Sequence, residues 1–461
     1  MSAESNNAQV AGGGPLTKWL EKAPQGVFVV YAIAAAFTTY FCMYAFRKPF
    51  AAAKFEDLNF FGTSIELKTA IVISQILGYA LSKYLGIKFC SEITPNRRAK
   101  ALVMLVLFAE GALLLFGLLP DNFKVVAIFL NGIPLGMVWG LVVWYLEGRR
   151  TSELLLAGLS CSYIVASGMT KDFGRAMLSG DVAQWWGHLP LLGGPISSAL
   201  RTVSDGWMPF IVGLHFLPLF LLAVWMLKQL PKPSEVDVKE RVAREPMQGV
   251  DRMAFVKKFL GGLVMLCLAY FFLTAYRDFR DNYQVEMFDS LGYSHAENKA
   301  VITKAETLVM FGVMGAMALL NLVKDNRRGL IGAYVVMVSG LLILGVSTLL
   351  MQAKMINGFW WMTMTGLGSY LAYVPYGSVL FDRLMATTRF VGTAVFAIYV
   401  ADSIGYTGSV GVQLYKDLGQ SGVSRLSFFI GFTYVMSILG VVCMLGSLVY
   451  FLRKAKPPAA A

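Results

Sequence analysis

Apolar runs of membrane-spanning length follow one another along this chain with hardly a pause, and that succession leaves few folds open to it. The runs extend from Val27 to Lys48, Glu66 to Phe89, Ala99 to Leu119, Phe123 to Leu146, Leu154 to Leu178 and Trp207 to Leu227. They resume from Met253 to Phe279, Ala296 to Val323, Gly329 to Met351, Phe359 to Phe381, Phe390 to Gly408 and Leu426 to Leu452. Each can cross a hydrocarbon layer of about 30 Å as a helix. Lipid offers no partner to backbone N–H and C=O groups, so spans must close their own hydrogen bonds, as helices do. With 56% of its 461 residues hydrophobic and 15% charged, the chain lacks the polar surface to cover a soluble body. The expected fold class is an all-α membrane protein with about twelve transmembrane helices.

The formal net charge of +12 does not point to nucleic acid, because most Lys and Arg punctuate the apolar runs instead of gathering on one water-facing surface. Counted with the N-terminus inside, the inner loops and tails hold roughly 24 Lys and Arg against roughly 13 outside. Pairs such as Arg97 and Arg98, Arg149 and Arg150, Arg327 and Arg328 fall inside. Both termini are therefore expected in the cytoplasm, in the cell membrane (the inner membrane of a Gram-negative organism). Residues 1–26 read as a cytoplasmic tail, with neither a short apolar core nor an Ala-x-Ala cleavage site. The charged, Pro-bearing stretch 231–252 divides the spans six and six. The expected units are a bundle over 27–230, that linker, a second bundle over 253–453 and a tail over 454–461. Ser179 to Gly206 reads as an outer loop whose Trp-rich part lies at the interface.

Catalytic and metal chemistry find little support. Cys42, Cys90, Cys161, Cys267 and Cys443 are scattered without metal-ligand or disulfide spacing, and His188, His215 and His295 are equally dispersed. No P-loop or nucleophile motif is present, which disfavours ATP-driven transport. No enzyme activity, cofactor or metal is expected, and the partners expected are a small anion and the bilayer, with a monomeric chain.

The two halves repeat each other weakly but in serial order. Tyr40, Phe41, Ala45 and Arg47 lie on Tyr270, Phe271, Ala275 and Arg277. Further on, Lys68 and Gln75 meet Lys299 and Glu306, Gly132 and Arg149 meet Gly366 and Arg383, and Tyr163 and Ser167 meet Tyr399 and Ser403. Parallel six-span repeats are the mark of the major facilitator fold, with its site at the interface of the halves. Within that frame Arg47 and Lys48 either snorkel to the outer interface or face a central cavity, where Arg47 can grip an anion bidentately. The run YRDFRD in the seventh span sets Asp278 and Asp281 among Arg277 and Arg280, so a salt-bridged helix end is the competing reading. Which of those arginines points inward stays open. Asp402, alone in an apolar run, reads as a coupling residue or as the partner of Lys171. Asp278 is a second coupling candidate, and Glu110 and Glu306 are weaker ones. Lys304 and Glu306 suggest a local pair, and Tyr276, Tyr373, Tyr376 and Tyr399 are candidate cavity donors. Gly366, Gly368 and Pro375 read as close packing and a bend.

The first span, with Tyr40, Tyr44, Arg47, Lys48 and Phe50, and the second, with Tyr79, Ser82, Lys83, Tyr84 and Gly86, resemble the organophosphate:phosphate antiporters that carry glycerol-3-phosphate and hexose phosphates. That resemblance implies a site in which Arg47 and Arg277 grip a phosphate while Lys83, Tyr40 and Tyr44 assist. Lys48, Arg280 and Tyr399 complete the candidate substrate-binding set. The sequence departs from the family's pattern at Tyr163, where a histidine can stand, and in the loop SEITPNRRAK after the second span. The expected function is secondary active transport of a small organic anion, which the resemblance implies is an organophosphate exchanged for phosphate. The alternatives are proton-coupled symport of a carboxylate or zwitterion, and a transporter-like receptor that moves nothing.

Overall fold

The computed structural model describes residues 14–55, 57–146, 149, 151–188, 193–233, 249–388 and 394–454. Within its helices the side chains of Lys83 and Tyr399 are among those outside the description. Six long helices form the first half: α1 (Gln25–Ala45), α2 (Leu67–Glu92), α3 (Pro95–Leu118), α4 (Lys124–Leu146), α5 (Ser152–Leu178) and α6 (Met208–Lys228). Six more form the second: α7 (Gly249–Asn282), α8 (Val301–Asn321), α9 (Asn326–Gln352), α10 (Gly358–Ser378), α11 (Ala394–Leu414) and α12 (Arg425–Lys454). Among the described residues nine helices are long and apolar enough to cross a membrane. Helices α2 and α11 pack on each other across the seam between the halves, and α10 turns Tyr370 and Tyr373 inward.

Local chemistry sets the helix ends. The first span was expected to run to Lys48, but α1 stops at Ala45. Pro49 opens a short 3₁₀ turn over Pro49–Ala52, and the N–H groups of Arg47 and Lys48 close back on the Tyr44 carbonyl at 3.0 and 2.8 Å. Helix α8 begins at Val301, later than the expected Ala296, because Ala300 takes a left-handed φ of 57°. Pro375 has no N–H for the last turn of α10, which ends at Ser378 before a separate helix, Leu380–Thr388. Helix α11 continues to Leu414, beyond the expected Gly408, and closes in a π turn over Tyr415–Gly419. Helix α7 starts at Gly249 inside the expected linker, of which residues 234–248 lie outside the description.

Packing turns the usual soluble arrangement outward. Ile438, Val442, Leu445 and Val449 form an exposed apolar stripe on α12, the face that suits lipid, while the interior carries many polar groups. Close approach of helices rests on glycines in both halves. A Cβ on Gly78 would stand 2.2 Å from the Phe129 carbonyl oxygen of α4, and one on Gly340 would stand 2.5 Å from that of Gly368. One core fills the first half around Phe46, Val138 and Phe220, and another fills the second around Phe279, Leu341 and Phe429. The halves meet along two seams, α2 with α11 and α5 with α8. Between those seams lies a cavity.

Candidate functional site

The end of α1 builds one wall of the cavity. Tyr40 and Tyr44, one turn apart, share a face, and Arg47 follows in the turn that Pro49 forces. That turn is held from two neighbouring helices. Asn131 of α4 donates Nδ2–H to the Phe46 carbonyl at 2.9 Å, and Gln75 of α2 donates Nε2–H to the Arg47 carbonyl at 2.8 Å. The Arg47 guanidinium is thereby set over the Tyr79 ring, 3.9 Å from its centroid, with Tyr44 at 5.7 Å. Its Nε is buried without a hydrogen-bond partner, and among the described residues Arg47 makes no ion pair.

Helix α7 builds the facing wall. Arg277 lies 4.3 Å over the Tyr373 ring, donates from Nη2 to Asp278 at 2.7 Å, and also has a buried Nε without a partner. Ser409 of α11 donates to the other Asp278 oxygen at 2.9 Å. Asp402 of α11 accepts from the Tyr270 hydroxyl at 2.7 Å. Tyr40, Tyr44, Arg47, Lys48, Arg277, Asp278 and Asp402 line a single cavity of about 140 Å³ together with Tyr79, Trp139, Tyr163, Tyr270, Asp281, Tyr373 and Tyr406.

The end of the cavity away from the chain termini is closed by ion pairs that cross between the halves. Lys48 meets Asp281 Oδ2 at 2.5 Å and Asn282 at 2.9 Å, while Lys171 of α5 meets Asp281 Oδ1 at 2.9 Å and Gln284 at 2.6 Å. Ser167 also donates to Asp281. Farther out, Asp289 takes Arg175 at 3.0 Å and Lys54 at 3.1 Å, Lys68 pairs with Glu286, and Arg425 pairs with Glu66. Opposite this seal the lining reaches Ser160, Ser378 and Ile398, in the terminus-bearing parts of α5, α10 and α11. The cavity is shut at the distal end and extends toward the terminus-bearing face.

Several expected placements need correction. Arg280 does not line the cavity. The buried carboxylate of Glu306 supplies its counter-charge at 2.8 Å, and Nη2 donates to the Met362 carbonyl at 2.7 Å. Glu306 therefore serves Arg280 and Gln284, not Lys304. Lys171 is taken by Asp281 and Gln284, so it does not partner Asp402. Tyr276 and Tyr376 turn away, to Thr433 and to the Leu266 carbonyl. The side chains expected at Lys83 and Tyr399 lie outside the described residues. Gln75, Asn131, Trp139 and Tyr406 went unnoticed as site-builders, since a single polar or aromatic residue in an apolar run carries no mark of its direction.

With the geometry in view, solved structures with the same architecture can be compared. A bacterial homolog of the human lysosomal transporter Spinster, inward-facing and occupied, matches with TM-score 0.63 at 13% identity, covering 93% of this chain and 99% of that one. The xylose transporter XylE from E. coli, inward open, matches with TM-score 0.56 at 12% identity, covering 94% and 96%. The nucleoside transporter NupG matches with TM-score 0.53 at 10% identity, covering 92% and 99%. Twelve long helices among the described residues, an apolar exterior and a central cavity together define a polytopic membrane protein of the major facilitator fold. Within that fold the chain belongs to the family of unknown function DUF5690, which it matches over residues 49–200 and 194–454. Comparison with curated proteins gives no match.

Proposed function

We propose that this chain is a secondary transporter that carries a small organic anion by alternating access around the cavity between Arg47 and Arg277. The observation that carries the reading is Arg47, a guanidinium placed on the cavity over Tyr79, without an ion pair among the described residues and with a buried Nε lacking a partner. Burying a cation is costly, and an arriving anion supplies the missing counter-charge. Arg277 adds a second guanidinium from the other half, so one ligand bridging the two would tie substrate binding to their relative motion. The likeness of Tyr40, Tyr44, Arg47 and Lys48 to the organophosphate:phosphate antiporters supports a phosphorylated substrate exchanged for phosphate. The inner excess of Lys and Arg supports cytoplasmic termini in the cell membrane, and the proposal takes the chain as a working monomer.

A second reading, proton-coupled symport, draws on Asp402, a carboxylate on the same cavity that accepts from a tyrosine hydroxyl. Counterflow in proteoliposomes tests the proposal. A ligand that raises the melting temperature of the purified chain is loaded inside, and entry of its labelled form is followed. Accelerated exchange is the expected result. A ligand that binds yet is not moved would make the chain a receptor, and exchange that requires a pH gradient would favour symport.

A further inference from the structure

The charges on the cavity can be matched in pairs until two are left. Arg277 is held by Asp278, and Asp281 answers Lys48 and Lys171. That leaves Arg47 on the wall of the first half and Asp402 on the wall of the second, and among the described residues neither makes an ion pair. One ring pair joins the two poles: Tyr79, which carries the Arg47 guanidinium on its face, meets Tyr406 at 5.6 Å, and Tyr406 stands one helical turn beyond Asp402 on α11. Around Asp402 the rings of Tyr270 and Tyr373 stack at 5.4 Å. A carboxylate on the cavity wall, held by a tyrosine hydroxyl and without an ion pair among the described residues, is a place for an ammonium group, which gains a charge-assisted hydrogen bond there.

We infer that the substrate is a small zwitterion, with its acidic group between Arg47 and Arg277 and a cationic nitrogen on Asp402. This deepens the anion-carrier proposal and rests on it. A simple anion would satisfy Arg47 and leave Asp402 without a counter-ion, whereas a zwitterion satisfies both and spans the two halves. The amino group also cancels one unit of the charge that the acid would bring into the membrane interior as the halves rock.

The test is calorimetric titration of the purified full chain with two matched pairs: aminoethylphosphonate against ethylphosphonate, and β-alanine against propionate. In at least one pair the aminated member should bind about tenfold or more tightly than its partner. Asp402→Asn should bring that pair to within about twofold, and Asp402→Glu should keep the preference. If in both pairs the unaminated probe binds as well as its aminated partner, the anion carrier stands and the zwitterion is overturned. Failure of every aminated probe to bind also overturns it. So does an Asp402→Asn protein that shifts the pH profile of binding while the ratio within a pair is unchanged, since Asp402 would then serve a proton. The wild-type ratio decides by itself should the variant not fold.

Discussion

Replacing Asp281 with asparagine should open the distal end of the bundle. Its carboxylate holds Lys48 at 2.5 Å and Lys171 at 2.9 Å, and those lysine side chains are 5% and 0% exposed. The substitution keeps the volume and removes the charge, so two ammonium groups stay out of water without a counter-ion. Breaking a buried pair by removing one partner costs about 3–5 kcal/mol. The lower figure applies here, because Asn282 still accepts from Lys48 at 2.9 Å, and Gln284 and the residue 281 carbonyl still accept from Lys171 at 2.6 and 2.7 Å. The cost is relieved when the halves part and water reaches the ammonium groups. A change of about 3 kcal/mol multiplies the ratio of distally open to closed molecules by about a hundredfold. Spin labels at Asn59 and Glu297, exposed positions on the two halves at this end, report that ratio as a distance distribution. In Asp281→Asn a longer distance should dominate. An unchanged distribution in folded protein would refute the claim that this carboxylate closes the gate.

Three further outcomes are expected. Gly78→Ala would press a Cβ to 2.2 Å from the Phe129 carbonyl oxygen and should cost about 1–3 kcal/mol, seen as an earlier melt, whereas Gly26→Ala, with nothing within 4 Å, should be silent; equal melting of the two would count against close α2–α4 packing. At the distal end the hydrogen bond from the Lys299 ammonium, with help from Ser179 and His295, holds the Asp181 carboxyl below its usual range. A carboxyl lowered on folding contributes stability above its unfolded value and loses it as pH falls through its folded one, so acidification below about pH 4 should loosen this cross-half contact. Asp181→Asn should flatten that part of the spin-label titration, and identical acid profiles would argue against it. A cysteine replacing Ser5 should resist impermeant reagents in intact cells and react in inverted vesicles; labelling from outside would reverse the topology.

Legibility in the sequence followed the physics of each feature. Spans were readable because lipid demands long apolar runs, and the errors fell where backbone chemistry intervenes, at Pro49, Ala300 and Pro375. Arg47 and Asp402 stood out because charge in an apolar run is costly. Partner choice was not readable: whether Lys171 meets Asp402 or Asp281 depends on which helices face each other across the seams, and a residue's own span carries no record of that. Likewise Arg277 and Arg280 are indistinguishable in YRDFRD, and they separate only because Glu306 of α8 claims the second. The aromatic lining was missed for a related reason, since Trp139 and Tyr406 look like packing residues until the cavity beside them is seen.

The central claim is that Arg47 and Arg277 act on one anion that is then moved. It is tested most directly by counterflow of a labelled anion through Arg47→Lys, Arg277→Lys and the double variant, each shown to be folded by its melting curve. Lysine keeps the charge but loses the planar pair of donors. Loss of a desolvated charged contact costs about 2–5 kcal/mol, so each single variant should nearly abolish exchange and the double should add little. Exchange at the wild-type rate in either single variant, with its fold intact, would contradict the account.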